Sequence, residues 1–221
     1  MSKVVNPFSH RLGVIRDWRH RWFAEGAAFR ENLKGGILLR EFLMRQLRGM
    51  HVGSIELERG KQLRIIIKTS RPGLLIGRSG EGSVKLRNSI AAFLKKNKLT
   101  VPEIKLDIEE VRNPESSAAI VAYQVAEGLE KRLPFRRVLK QTVEKVMANR
   151  DVLGVRVGLS GMLGGGSMSR TEVLKKGRVP LQTLRADVDF ARERANLPLG
   201  VIGIKVWIYK GEIFAKTAKE K

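Results

Sequence analysis

The stretch Leu74-Leu75-Ile76-Gly77-Arg78-Ser79-Gly80-Glu81-Gly82 decides how the first half of the chain folds. An apolar run ends in two glycines three residues apart, and a segment with helical periodicity follows from Glu81 to Asn97. Because Gly77 and Gly80 lack a Cβ, the backbone between them can turn tightly and approach a ligand closely. A helix that starts just after the turn adds free N–H groups and a partial positive charge. The stretch therefore predicts a loop that holds a phosphate group.

Two kinds of phosphate-binding loop fit part of this stretch. GxxG is the pattern of the KH domain, whose loop clamps about four nucleotides by their backbone. The nucleotidase pattern GxxxxGK[ST] nearly fits, but Ser83 stands where its lysine belongs and Val84 where its hydroxyl belongs. Without these two groups for the phosphates and magnesium, we reject nucleotide hydrolysis. We expect the loop to bind RNA through four residues: Gly77, Arg78, Ser79 and Gly80.

The patterns on either side of the loop follow the order of a type II KH domain. A helix with an apolar stripe is predicted from Phe29 to Arg48, and Gly35-Gly36 is expected to break or begin it. Two alternating strands follow, Val52–Glu58 and Gln62–Thr69, and a third, Ile104–Glu109, comes after the second helix of the loop pair. The order helix, strand, strand, helix, GxxG, helix, strand predicts a three-stranded sheet with helices.

The rest of the chain has the pattern of a second α+β module. Asn113-Pro114 marks its start, because Asn caps helices and Pro suits their first position. The predicted elements are helices Glu115–Arg132 and Phe135–Asn149, then strands Val152–Leu159, Arg170–Lys176, Leu184–Ala191 and Val201–Tyr209. Gly- and Pro-rich connections favour a mainly antiparallel four-stranded sheet that carries the two helices. The predicted organisation is an N-terminal arm (1–24), a type II KH domain (25–112), a C-terminal α+β domain (113–214) and a short basic tail (215–221).

Composition indicates a polyanionic partner. The 221 residues include 43 Lys and Arg against 22 Asp and Glu, a net charge of +21, and the chain is basic on both sides of Arg112. Cysteine is absent, which excludes disulfides, zinc ribbons and thiol nucleophiles, and His10, His20 and His51 are isolated from one another. We therefore expect no cofactor and no metal. No long apolar run or signal segment occurs, so we expect no membrane contact and a cytoplasmic protein.

The densest basic cluster, which we call the entry cluster, consists of Lys131, Arg132, Arg136, Arg137 and Lys140. Arg136 and Lys140 are four residues apart and share a helix face, with Arg137 beside them. A run of like charges usually marks a solvated face. Because the whole chain is basic, we favour a surface that faces RNA.

A pair of carboxylates raises the possibility of an enzyme. Asp187 and Asp189 lie two apart on a predicted strand, so both point the same way and could hold Mg²⁺ for phosphodiester chemistry. The interpretation that we favour is that they pair with nearby arginines such as Arg185, Arg192 and Arg194.

The predicted arm mixes arginines with aromatic residues, including Trp18, Trp22 and Phe23. Such side chains either stack on bases or pin the arm to a neighbouring domain, and the sequence leaves both alternatives open.

Twelve stretches in the right order resemble one family. They are Val5-Asn6-Pro7, Arg11-Leu12-Gly13, Trp22-Phe23-Ala24, Arg71-Pro72-Gly73, Ile76-Gly77, Glu109-Glu110-Val111-Arg112, Phe135-Arg136-Arg137, Gly177-Arg178-Val179-Pro180-Leu181, Thr183-Leu184-Arg185-Ala186-Asp187, Gly200-Val201-Ile202-Gly203, Trp207 and Lys210-Gly211-Glu212. The family is the third protein of the small ribosomal subunit, in its bacterial form. Its members often have two lysines in the GxxG loop, where this chain has Arg78-Ser79.

The resemblance implies a structural protein without enzymatic activity in the head of the small subunit, and hence in the ribosome of the cytoplasm. The implied partners are 16S-type rRNA, mRNA and neighbouring ribosomal proteins of the head. Family residues that match Arg136, Arg137 and Lys140 face incoming mRNA and support its unwinding. Two alternatives stay open at this point: a free KH protein that acts on other RNAs, and a metal-dependent nuclease that uses Asp187 and Asp189.

Overall fold

The chain divides into two compact units in a computed structural model that describes residues 5–97, 99, 103–198 and 200–213. One unit is Trp18–Arg112, and the other joins the first seventeen residues to everything from Asn113 onward. Residues 1–17 thus group with the second unit, whereas the sequence analysis treated residues 1–24 as a single arm. The predicted basic tail, 215–221, lies outside the described residues.

Six helices and eight strands make up the described chain. The helices are α1 (Pro7–His10), α2 (Gly26–Gln46), α3 (Pro72–Ile76), α4 (Glu81–Lys96), α5 (Ala118–Glu130) and α6 (Phe135–Met147). The strands are β1 (His20–Arg21), β2 (Val52–Arg59), β3 (Leu63–Thr69), β4 (Ile104–Glu110), β5 (Gly154–Gly161), β6 (Arg170–Gly177), β7 (Ala186–Leu197) and β8 (Gly200–Glu212).

The sheet of the first unit has the order β1-β2-β3-β4. Strands β2 and β3 are antiparallel, whereas β3 and β4 are parallel and are joined by the crossover that contains α3, the GxxG loop and α4. The predicted order of elements and the type II KH topology are confirmed. The prediction of three strands missed β1, a two-residue strand that pairs with β2 and is too short to show alternation. One face of the sheet packs on α2 and α4 in a core that includes Leu39, Leu43, Ile65, Ile67 and Ile90.

Helix α2 contradicts the prediction that two consecutive glycines would break or begin it. It starts at Gly26 and continues through Gly35 and Gly36, both of which are buried. A Cβ at Gly35 would lie 3.5 Å from Nη2 of Arg59, so the helix passes close to its neighbours here. Burial of the stripe containing Leu39 outweighs the cost of about 1 kcal/mol for each glycine in a helix.

The second unit is a four-stranded sheet of order β6-β5-β8-β7 in which every neighbouring pair is antiparallel. Helices α5 and α6 cover one face, and Val125, Val143, Val157 and Ile204 are among the core residues between the layers. The predicted α+β module is therefore confirmed. Strands β7 and β8 are longer than predicted, because they pair as far as their hairpin at Leu197 and Gly200, with one register shift between Asp187 and Val188.

Helix α5 begins three residues later than predicted, because its cap comes from elsewhere in the chain. Residues Pro114–Ser116 form a single 3₁₀ turn, and the side chain of Asn113 donates to Asp151 instead of capping the helix. The N–H of Ala118 donates to Oδ2 of Asp189 at 2.8 Å, across 71 positions of sequence. A carboxylate at this end also meets the positive pole of the helix dipole.

A buried guanidinium fastens the N-terminal segment to the second unit. Arg11 is fully buried, and it donates to the backbone carbonyls of Pro7, Pro180, Leu181, Thr183 and Ala186 at 2.6 to 3.4 Å. Burial lowers the pKa of Arg11 below its usual range, and the nearby carboxylate of Asp187 opposes that shift.

The first part of the predicted arm is therefore held by an arginine, and an aromatic residue holds the last part. Trp18 and Phe23 belong to the first unit and remain exposed there. The ring of Trp22 packs on Phe29, with centroids 5.3 Å apart.

We predict that Arg11→Met lowers the free energy of unfolding by at least about 3 kcal/mol, because each buried carbonyl left without a donor costs about 1–3 kcal/mol. Arg11→Lys should lose most of this stability too, since an ammonium cannot reproduce the guanidinium fork. Urea denaturation followed by circular dichroism measures the change. The control Arg185→Met removes an exposed arginine and should shift stability by only about 0.5 kcal/mol. Equal losses in both variants would show that Arg11 has no special structural role.

Candidate nucleic-acid interface

The GxxG loop forms one tight turn between α3 and α4. Gly77, Ser79 and Gly80 adopt positive φ angles of 70°, 53° and 81°, and Arg78–Gly80 make a 3₁₀ turn that leads directly into α4. Gly77, Arg78 and Ser79 are exposed. No side chain caps the N-terminus of α4, so its first N–H groups and the positive pole of the dipole lie next to the turn.

A third glycine, to which the sequence analysis gave no role, sets the shape of this loop. A Cβ on Gly82 would lie 2.4 Å from the carbonyl oxygen of Leu75 and 2.9 Å from that of Ile76. The first turn of α4 therefore packs directly against the end of α3, and only glycine permits this approach. Gly77 faces the same contact from the other side, since its Cβ would lie 3.0 Å from the backbone nitrogen of Gly82. The pair Gly77 and Gly82 was the sequence signal from which this close contact could have been predicted.

The surroundings of the loop combine charge and exposed apolar surface. Arg78 is the cation within the loop, and the nearest acid, Glu81, pairs with Lys85 at 3.3 Å. Leu74, Ile76 and Val84 flank the turn and are 56%, 40% and 56% exposed. A phosphate at the turn and bases against these side chains would use both kinds of surface.

The entry cluster spans two local structures instead of one helix face. Lys131 and Arg132 lie in the connection after α5, which ends at Glu130 and not at Arg132 as predicted. Arg136, Arg137 and Lys140 lie on α6, on the side away from its buried residues. Within the cluster, Lys131 pairs with Glu127 at 2.6 Å and Arg136 with Glu172 at 3.5 Å. In the described part of the chain, Arg137 and Lys140 have no ion-pair partner.

The position of these cations on α6 is electrostatically unfavourable for the isolated helix. Phe135, Arg136 and Arg137 are its first three residues, and its first turn contains no acid. Cations at a helix N-terminus face the positive pole of the dipole, which costs about 0.3–1 kcal/mol each. An anion bound at this end would relieve the repulsion and would also meet free backbone N–H groups. The first turn of α6 therefore has the charge and the free backbone donors that a bound anion would satisfy.

Arg132 occupies a backbone position that usually belongs to glycine. Its φ is 60°, its N–H donates to Leu129 at 2.9 Å, and the N–H of Leu133 donates to Gly128 at 3.1 Å. These two bonds define a Schellman motif with Arg132 in the left-handed C′ position. A non-glycine residue there costs about 1–2 kcal/mol. The fold alone would therefore favour glycine, and the cationic side chain is retained at a cost.

The two carboxylates of the nuclease alternative are both engaged. Asp187 accepts from Nη2 of Arg16 at 2.5 Å, and Asp189 caps α5 through the N–H of Ala118. The favoured interpretation, that they serve the fold, agrees with this arrangement. The arginines predicted as partners were wrong, because the actual partners lie far away in sequence. In the part of the chain that the structure describes, no three His, Cys, Asp or Glu side chains group as metal ligands.

Comparison with known proteins addresses both halves of the chain. The model of the KH domain matches residues 38–116, which include the GxxG loop. The model described as "Ribosomal protein S3, C-terminal domain" matches residues 125–208, which include the entry cluster. Small ribosomal subunit protein uS3 from two strains of Coxiella burnetii, RSA 331 / Henzerling II and RSA 493 / Nine Mile phase I, is 41% identical over 216 residues, 97% of this chain and 92% of the relative. The chain belongs to the uS3 family of small ribosomal subunit proteins.

Membership of the uS3 family decides between some of the alternatives. The family consists of ribosomal structural proteins and not of enzymes, so the nuclease alternative is set aside. The suspected family resemblance is confirmed over nearly the whole chain. None of the helices in the described residues is long and apolar enough to cross a membrane.

We predict that Arg132→Gly raises the free energy of unfolding by up to about 1 kcal/mol, because relief of backbone strain exceeds the cost of a more flexible unfolded chain. Arg132→Ala is the matched control: it removes the same charge and keeps the strained φ. Both variants should make the salt dependence of RNA binding shallower by about 0.7–0.9. Thermal unfolding and salt-titrated RNA binding measure the two effects. A glycine variant no more stable than the alanine variant would contradict the strain argument.

Proposed function

We propose that this chain is a structural constituent of the head of the small ribosomal subunit, in the cytoplasm. It binds 16S-type rRNA, lies beside neighbouring ribosomal proteins of the head, and lines the path by which mRNA enters. It contributes to the unwinding of structured messages through binding alone, without covalent chemistry.

The first turn of α6 is the observation that carries the mRNA role. Arg136 and Arg137 are exposed there, and Lys140 is exposed one turn further on, on a helix whose other side is fixed in the core by Val138 and Leu139. A rigid helix keeps its cations at constant positions, which suits repeated contact with the phosphates of a moving strand. The unfavourable position of the cations at the helix N-terminus supports an anionic partner over a merely solvated face.

Unwinding requires a difference in affinity between single-stranded and paired RNA. A ligand shifts an equilibrium only as far as it prefers one state. A hairpin must open before its strand passes the entry cluster, and cations that contact the phosphates of the opened strand stabilise that state. The left-handed Arg132 brings a further cation to the connection just before α6. The cluster therefore lowers the free energy of the opened message relative to the hairpin.

The GxxG loop supports the proposed contact with rRNA. Gly77, Arg78, Ser79 and Gly80 form an exposed turn at the N-terminus of a sixteen-residue helix. Their backbone can approach a phosphate, and Arg78 supplies one charge where relatives often have two. The free KH protein remains the competing function. Co-sedimentation of the chain with small subunits at high salt distinguishes the two, since a free RNA-binding protein would dissociate.

We predict that the triple variant Arg136→Ala, Arg137→Ala and Lys140→Ala selectively slows translation of structured messages. Alanine favours helices, so α6 should remain folded. Ribosomes with the variant should translate an unstructured message nearly normally and stall more often at a stable hairpin ahead of the entrance. The measurement is the translation rate on matched messages with and without the hairpin.

A second triple variant, Arg30→Ala, Lys34→Ala and Arg45→Ala, is the matched control, because it removes three exposed cations from α2. It should leave the ratio of the two rates unchanged. If the α6 variant slows both messages equally, the cluster serves rRNA binding or assembly and the mRNA role is wrong.

A further inference from the structure

Each of the two sheets has one face that its helices do not cover, and the two faces differ in charge. In the KH sheet, the side chains opposite α2 and α4 form a network of ion pairs at 2.5 to 3.8 Å. Its cations are Arg21, Arg64 and Lys68, and its acids are Glu56, Glu58, Asp107 and Glu109. With the nearby exposed Lys105, the charges balance. This face shows that the chain can neutralise a sheet surface with its own acids.

The corresponding face of the C-terminal sheet is not neutralised. Strand register places its side chains in three successive rows across β6, β5, β8 and β7. The rows are Lys175-Arg156-Trp207-Phe190, Val173-Gly158-Lys205-Arg192 and Thr171-Ser160-Gly203-Arg194. We call these twelve residues the basic sheet face. It contains five cations and no acid. Among the residues that the structure describes, four of these cations have no ion-pair partner, namely Lys175, Arg156, Lys205 and Arg192, whereas Arg194 makes an interaction of its own.

Three of the acids on these strands lie on the opposite side of the sheet, while Asp187 and Glu212 stand at one end of it and pair with Arg16 and Arg185. Glu172 pairs with Arg136 of α6, and Asp189 caps α5, so both are used by the helix layer. Glu193 is paired in register with the buried Ile204, which also belongs to that layer. Because side chains alternate along a strand, these three acids are kept away from the basic sheet face. A solvated surface does not need to be free of acids, since the open face of the KH sheet carries acids and cations side by side.

The arrangement of the cations is unfavourable without a partner. Arg156 lies directly opposite Lys175, and Arg192 directly opposite Lys205. Like charges at directly opposite positions destabilise a sheet by tenths of a kcal/mol to about 1 kcal/mol. The guanidinium of Arg156 is also held in place, since its Cζ lies 4.9 Å from the centroid of the Trp207 ring. Bound anions would convert this repulsion into attraction.

The composition of the face favours RNA over an acidic protein. Protein–protein interfaces are enriched in aromatic residues and methionine and depleted in lysine, whereas interfaces with nucleic acids are polar and strongly positive. Here Trp207 is buried beneath Arg156, and Val173 is the one large exposed apolar side chain among the twelve. The side chains of Val173 and Trp207 lie over Gly158, and Oγ of Ser160 lies 3.0 Å from where a Cβ of Gly203 would stand, so the centre of the face is closely packed between the cations. A backbone of phosphates fits such a surface without contacts to specific bases.

We propose that the basic sheet face binds the phosphate backbone of a structured rRNA segment, separately from the entry cluster. The inference rests on the proposed function in that the RNA is ribosomal. Helix α6 lies on the other side of the same sheet, so the domain would hold rRNA on one side and present its cluster to mRNA on the other.

The test is the salt dependence of full-length chain binding to a transcript of 16S rRNA. The variant Lys175→Gln, Arg192→Gln and Lys205→Gln removes three charges and keeps Arg156 over Trp207. The slope of log affinity against log salt should become shallower by about 2 to 3, from about 0.7–0.9 for each lost phosphate contact. Hydroxyl-radical footprinting should show one protected rRNA segment lost. Thermal stability should be unchanged or higher, because repulsion between opposite cations is removed.

The matched control is Arg30→Gln, Lys34→Gln and Arg45→Gln, which removes the same net charge from α2 and should change the slope less and leave the footprint intact. An unchanged salt slope and footprint in the sheet variant would overturn the inference. An equal decrease of the slope and the same lost footprint in the control variant would also overturn it. An unchanged slope with poor incorporation into subunits would assign the face to a protein partner and also overturn it. The α6 variant tests the mRNA role independently. If ribosomes with the α6 variant pass the hairpin at the normal rate while the sheet variant gives a shallower salt dependence, the mRNA role is wrong and this inference still holds.

Discussion

The chain must fold while it carries a net charge of +21, and this repulsion determines how its 22 acidic residues are used. Four of them neutralise the open face of the KH sheet. Asp187 pairs with Arg16 of the N-terminal segment, Asp189 caps α5, and Glu172 pairs with Arg136 of α6. The acids are thus placed where the fold needs them. Among the described residues, cations without an ion-pair partner remain on α6, at Arg137 and Lys140, and on the basic sheet face. We infer that RNA supplies the missing negative charge at both places.

Backbone conformation also distinguishes two residues of the proposed RNA sites, although the buried His51 shares the same conformation. Ser79 and Arg132 are two of three non-glycine residues with positive φ in the described chain, and each precedes a helix N-terminus within a proposed RNA site. A left-handed backbone conformation costs free energy for these residues. A residue other than glycine at such a position is therefore expected to contribute through its side chain. At Gly82 the opposite holds, because the close approach of α3 and α4 excludes any Cβ. The GxxG loop and the entry cluster therefore each contain a residue in a strained left-handed conformation, and the loop also contains a glycine that no other residue could replace.

Local sequence patterns were sufficient for much of the architecture. Alternation and 3.6-residue periodicity predicted the long strands and helices, and GxxG predicted the exposed turn. The failures have long-range causes. The cap of α5 comes from Asp189, the partner of Asp187 is Arg16, and Gly35 lies inside a helix because of tertiary packing. The basic sheet face was missed because its cations come from four strands, and only the register brings them into adjacent rows.

The most direct test of this account is a cryo-electron microscopy structure of a small ribosomal subunit that contains this chain and a bound message. The quantity to measure is the distance from each surface cation to the nearest RNA phosphate. The account predicts that Arg137 and Lys140 contact phosphates of the message and that Lys175 and Arg192 contact phosphates of rRNA. It also predicts that the neutralised KH sheet, represented by Arg64, contacts none. RNA lying on the KH sheet, with α6 and the basic sheet face turned to solvent, would contradict the central claim that uncompensated charge marks the RNA-binding surfaces.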